Sequence, residues 1–199
     1  MAPWQSSEPS PRISEDAGRG MKTIENLSEL RKLTTFKTLD DATDADARAL
    51  LMRCCGSARW VDAMLARRPF RDDATLLSAA RDVWFSLDTS DWREAFSHHP
   101  KIGDRDALRT RFAATRTLSE REQAGVSGAG DDVLEALAEG NAAYERRFGF
   151  IFIVCATGKT AEEMLALLRS RIDNDPTREI QIAAAEQAKI MALRLEAID

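Results

Sequence analysis

The chain has 199 residues, 44% of them apolar and 31% charged, which suits one globular domain with a substantial core. A net charge of −5 offers nothing to a polyanion and argues against a nucleic-acid partner. No apolar run reaches the length of a membrane span, and the N-terminus lacks the charged-then-apolar pattern of a secretory leader.

Residues 1 to about 20 are rich in Ser, Pro, Gly and charge, and read as a disordered tail preceding one domain over 21–199; Met21 is a second candidate start. From Asp44 the period is helical. Ala47, Leu50, Leu51, Cys54 and Cys55 form one stripe that ends at Gly56. Further helices are predicted over Ala58–Ala66, Asp73–Leu87 and Trp92–Ser97, the last leading into His98-His99-Pro100-Lys101-Ile102-Gly103. Asp104–Ala113 reads as helix, and Ser119–Val126 opens with the capping-box pattern Ser119-x-x-Glu122. Asp131–Phe148 is a long helix closed by Gly149, and Thr160–Ile172 opens with a second box. The last helix, Thr177–Ile198, follows Pro176 and carries Ile180, Ala184, Gln187, Ile190, Met191, Arg194 and Ile198 along one face. Only Phe150–Ala156 departs from this period, as an extended buried segment with no partner strand. The expected fold is all-α, a compact multi-helix bundle.

The chain's two histidines stand side by side in the 98–103 loop, which marks one place for proton chemistry near neutral pH. Pro100 and Gly103 would hold one imidazole in place. A loop histidine bonded to a nearby carbonyl explains the same residues. Zinc is disfavoured, because the cysteine doublet lies too far from the histidines for the usual ligand spacing. Cys54, Cys55 and Cys155 have no framework spacing, so a reducing cytoplasm is the simplest reading. Ser119, Glu122 and Gln123 read first as a helix cap, and as functional only if they turn toward the imidazole. The peptide groups of the 150–156 segment need partners, which an amide-rich ligand could provide. Arg67-Arg68 and Arg146-Arg147 read as solvated faces, Lys189 as a snorkelling side chain, and Arg194 as able to reach an anion.

Six motifs in order carry a resemblance. They are Cys54-Cys55-Gly56-Ser57 with Trp60 and Arg68-Pro69-Phe70; His99-Pro100-Lys101-Ile102-Gly103; and Ser119-x-x-Glu122-Gln123-Ala124-Gly125. After these come Asn141-x-x-Tyr144-x-x-Arg147-Phe148-Gly149-Phe150-x-Phe152-Ile153, Arg171 with Asn174, and Glu186-Gln187-x-Lys189-Ile190-x-x-Leu193-Arg194-Leu195. Over residues 24–198 the chain resembles the 2-oxo-4-hydroxy-4-carboxy-5-ureidoimidazoline (OHCU) decarboxylase family of uric acid degradation. The resemblance implies an all-helical, cofactor-free and metal-free enzyme, usually a homodimer, that converts OHCU to (S)-allantoin and carbon dioxide. It implies His99 as the proton-transfer residue and Glu122 as the second catalytic group. Pro100, Ser119, Gln123, Arg194 and the segment Phe152, Ile153, Val154, Cys155 and Ala156 are implied as substrate-binding. His98 matches no required position. A non-catalytic helical module, or a related ureide-processing enzyme, remains as an alternative. In the enzyme, His99, Ser119, Glu122 and Gln123 converge on a pocket with the Phe152 segment; in the module, Glu122 caps a helix and faces water.

Overall fold

The helical period translates into eight α-helices and no strand among the described residues of the computed structural model, 35–99 and 129–198. They are α1 (Thr35–Asp41), α2 (Asp44–Cys54), α3 (Ala58–Leu65), α4 (Asp73–Ser86), α5 (Thr89–Ser97), α6 (Ala129–Phe148), α7 (Ala161–Arg171) and α8 (Pro176–Glu196). The all-α expectation holds. The predicted tail, Met21 and the helices expected over Asp104–Ala113 and Ser119–Val126 lie outside the described residues.

Starts and stops follow capping chemistry. Thr43, Ser57, Asp72, Asp88, Thr160 and Asp175 each accept a backbone N–H of the helix that follows. The box expected at Thr160 forms with Glu163. A second box, Asp88 with Asp91, starts α5 at Thr89, three residues before the start expected at Trp92. Gly149 ends α6 with φ +73°, and its N–H donates to Glu145 O at 2.8 Å. The one short helix not anticipated, α1, has two buried residues, Thr35 and Leu39, too few to make a periodic stripe.

The closing helix α8 organises the bundle by packing on α2, α4 and α5, while α6 and α7 pair with each other. Indole N–H groups tie the layers together. Trp84 donates to Ala184 O across α4 and α8 at 2.9 Å, Trp60 to Ala80 O at 3.0 Å, and Trp92 to Trp84 O at 3.0 Å. Arg68 departs from its reading as a solvated face. Its guanidinium donates to Asp40 O at 2.9 Å and Ala42 O at 2.5 Å, while the Asp40 carboxylate accepts from Phe70 N–H. The Arg68-Pro69-Phe70 motif is thus a clasp on the C-terminal end of α1, satisfying carbonyls a helix end leaves open. Arg146 and Arg147 are exposed, as expected.

The 150–156 segment runs through the core without regular secondary structure. Phe150 and Phe152 meet Tyr144 edge-on, with ring centroids 5.7 and 5.2 Å away. Behind the segment lies a buried polar network. Arg171 Nε donates to Glu179 Oε1 at 2.7 Å, Asn174 Nδ2 donates to Glu179 Oε2 at 2.6 Å, and the Tyr144 hydroxyl also donates to Glu179. Burial, reinforced by that donation, pushes the Tyr144 hydroxyl far above its ordinary range, so it stays a neutral donor. Arg171 Nη1 reaches Ile153 O at 3.0 Å, and its guanidinium carbon lies 4.6 Å from the Phe152 ring centroid. The network fixes where the segment runs.

Candidate active site

α5 carries the histidine pair at its C-terminal end, where His98 N–H donates to Ala95 O at 3.3 Å and His99 N–H to Phe96 O at 3.1 Å. The two side chains have different jobs. A Cβ placed on Gly56 would lie 2.5 Å from both Cβ and Cγ of His98, so the His98 side chain rests directly on the Gly56 backbone. His99 lines a cavity of about 390 Å³, together with the 151–157 segment, Ile190, Leu193 and Arg194. Its Nε2 lies 2.6 Å from Oε1 of Gln187, a fully buried side chain of α8.

Phe152, Ile153, Val154, Cys155 and Ala156 all line this cavity. Several of their peptide groups are already engaged. Besides Arg171 on Ile153 O, Glu186 Oε2 accepts from Cys155 N–H at 2.8 Å, and Lys159 Nζ donates to Cys155 O at 2.8 Å. No hydrogen bond is found among the described residues for the Val154 N–H or C=O. That peptide is one of the open polar groups of the segment. Burial tends to raise the Glu186 carboxyl, but the Lys189 ammonium at 2.5 Å and the Cys155 N–H outweigh it and hold the group below its ordinary value.

Arg194 reaches the cavity from α8 while its Nη1 donates to Arg53 O at 3.3 Å and Cys54 O at 3.4 Å, at the C-terminal end of α2. Two carbonyls therefore hold one edge of the guanidinium in place. Arg171 is buried in its network and does not line the cavity. Burial pushes the Cys54 thiol up to about 11 and the Cys55 thiol up to about 12, which removes both as nucleophiles near neutral pH. Among the described residues no three His, Cys, Asp or Glu side chains gather to hold a metal.

The structure thus brings together His99, Phe152 to Ala156 and Arg194, from three parts of the chain. Pro100, Ser119, Glu122 and Gln123 lie outside the described residues. Sequence reading gave no role to Gln187 or Glu186. The signal for Gln187 was present, as a polar residue at a core position of the α8 stripe.

A family model described as OHCU decarboxylase matches residues 40–196. The chain is 41% identical to the Uric acid degradation bifunctional protein TTL of Arabidopsis thaliana over 145 residues, covering 71% of this chain and 44% of that protein. It is 34% identical to the 2-oxo-4-hydroxy-4-carboxy-5-ureidoimidazoline decarboxylase of Amia calva over 138 residues, covering 68% of this chain and 77% of that protein. The chain therefore spans less than half of the Arabidopsis protein and about three quarters of the Amia one. Among solved structures, a crystal structure of OHCU decarboxylase in the presence of (S)-allantoin superposes with a TM-score of 0.61 at 37% identity. That likeness covers 77% of this chain and 96% of the other.

Proposed function

The chain belongs to the OHCU decarboxylase family, and from that premise we propose that it decarboxylates OHCU to (S)-allantoin, with His99 transferring the proton that sets the product's configuration. The observation that carries this reading is the opening of a side-chain-anchored imidazole onto a cavity shared with Arg194 and the 152–156 segment.

The chemistry needs little more than these groups. Breaking the bond between C4 and its carboxylate releases carbon dioxide and leaves an electron pair on C4. That pair passes into the neighbouring C5=N bond, and the ring nitrogen takes up a proton. The 4-hydroxyl then gives up its proton as the C4 carbonyl forms, and C5 gains one on a single face. Net, one proton is taken from solvent for each carboxylate lost. The ring provides its own electron sink, so the protein's work is to orient the carboxylate and control the proton. Arg194, which lines the cavity, would attract the substrate's negative charge, and the peptide groups of the 152–156 segment would meet the ureide or ring amides. His99 would relay a proton between the hydroxyl and C5, a general acid–base role worth about 10²–10⁴ in rate. The resemblance adds Glu122 as the second catalytic group, and Ser119, Gln123 and Pro100 as substrate contacts.

A homodimer acting in the cytoplasm belongs to the same reading, and the three free, buried cysteines fit a reducing compartment. No helix among the described residues is long and apolar enough to cross a membrane. The test is circular dichroism of OHCU generated freshly in the cuvette. The expected result is rapid appearance of the (S)-allantoin signal with wild-type protein, and a rate at least about 10²-fold lower with Glu122→Ala. Decay of OHCU at the uncatalysed rate in the presence of wild-type protein would favour the non-catalytic module.

A further inference from the structure

The closing helix supplies His99 with a partner that the resemblance did not assign. Gln187 sits in the apolar stripe of α8, between Ala183 and Ala184 on one side and Met191 on the other, all buried. An apolar side chain would serve packing there. Instead a fully buried carboxamide places Oε1 2.6 Å from His99 Nε2.

A carboxamide oxygen accepts only, so this contact requires a proton on Nε2. The opposite orientation of the amide would set an N–H against the ring nitrogen. That arrangement suits a neutral imidazole but opposes N–H to N–H once the ring is protonated. A residue that relays a proton passes through both states. Only Oε1 toward the ring suits both, because the Nε2–H···Oε1 bond then persists while the other nitrogen gains and loses its proton. Burial removes water as a competing partner for Gln187, so the ring plane and the proton position are set together.

We infer that Gln187 is the positioning residue for His99: it holds Nε2 protonated and assigns the transferred proton to Nδ1. The inference rests on the role proposed for His99. Its first consequence, however, concerns the free protein and can be read without substrate. Among the described residues, Arg194 is the other charged side chain lining the cavity, and it is common to all the variants compared.

The experiment combines ¹⁵N NMR of the two histidines, assigned with His98→Gln, with the pH profile of kcat for wild type, Gln187→Met and Gln187→Glu. Neutral His99 in the wild type should show a pyrrole-type Nε2 and a pyridine-type Nδ1, and Gln187→Met should lose that preference. Gln187→Met keeps the volume but not the acceptor, and kcat should fall about tenfold with KM little changed. Gln187→Glu restores an acceptor with charge. It should recover the tautomer and move the His99 limb of the kcat profile up by at least about one pH unit. A pyridine-type Nε2 in the wild type would overturn the inference, as would an unchanged tautomer and kcat in Gln187→Met. If Gln187→Met fails to fold, the wild-type tautomer and the Gln187→Glu profile still decide the matter. Correct NMR behaviour with no OHCU turnover by the wild type would instead defeat the proposed function and leave the His99–Gln187 pairing intact.

Discussion

At the scale of single residues, the two histidines divide their labour through what each rests on. His98 fills the space over Gly56, and His99 is anchored to Gln187 at the cavity. Gly56 is required for this because a methyl group there meets His98 at its Cβ, which cannot swing aside as a flexible side-chain end could. Gly56→Ala should cost about 1–3 kcal/mol of stability by overpacking. It should also lower the decarboxylation rate well beyond that loss at temperatures where the protein remains folded, because the shift of His98 carries His99 with it. Thermal melts alongside initial rates check this, and wild-type activity in Gly56→Ala would separate the two histidines mechanically. The histidine pair and its loop were visible in the sequence, because both histidines of the chain stand there. The role of Gly56 was not, because its neighbour is 42 positions away and no local pattern encodes the approach.

At the scale of elements, caps and periodicity made nearly every described helix readable, since N-cap side chains and apolar stripes act over three or four residues. The 150–156 segment was recognisable as buried from its aromatic and β-branched content. What holds it was not recognisable, because the Tyr144–Arg171–Asn174–Glu179 network joins α6, the end of α7 with the turn after it, and the first turn of α8. Tyr144, Arg171 and Asn174 carried the resemblance before they had a physical account. Their role is support: Arg171 holds the Ile153 carbonyl behind the cavity wall, whereas Arg194 lines the cavity itself. Arg171→Met leaves the Glu179 carboxylate buried without its cation and should cost about 3–5 kcal/mol in urea unfolding. The double variant Arg171→Met with Glu179→Leu should recover a large part of that loss. Single and double variants of equal stability would show that the buried pair carries no coupling.

At the scale of the molecule, α8 connects fold and site. One of its faces packs on α2, α4 and α5. From the same helix Glu186 holds the Cys155 peptide, Gln187 reaches His99, and Arg194 faces the cavity and the end of α2. Three groups of the site are thereby set by one rigid element, which suits a reaction whose outcome depends on which face of a carbon receives a proton. The most direct test of that account is the handedness of allantoin formed from fresh OHCU in the presence of His99→Gln, followed by circular dichroism. The prediction is slow formation of racemic allantoin with little net dichroic signal, against rapid (S)-allantoin from the wild type. Formation of (S)-allantoin by His99→Gln at the wild-type rate would contradict it, and so would a slower reaction that still gave the (S) product alone.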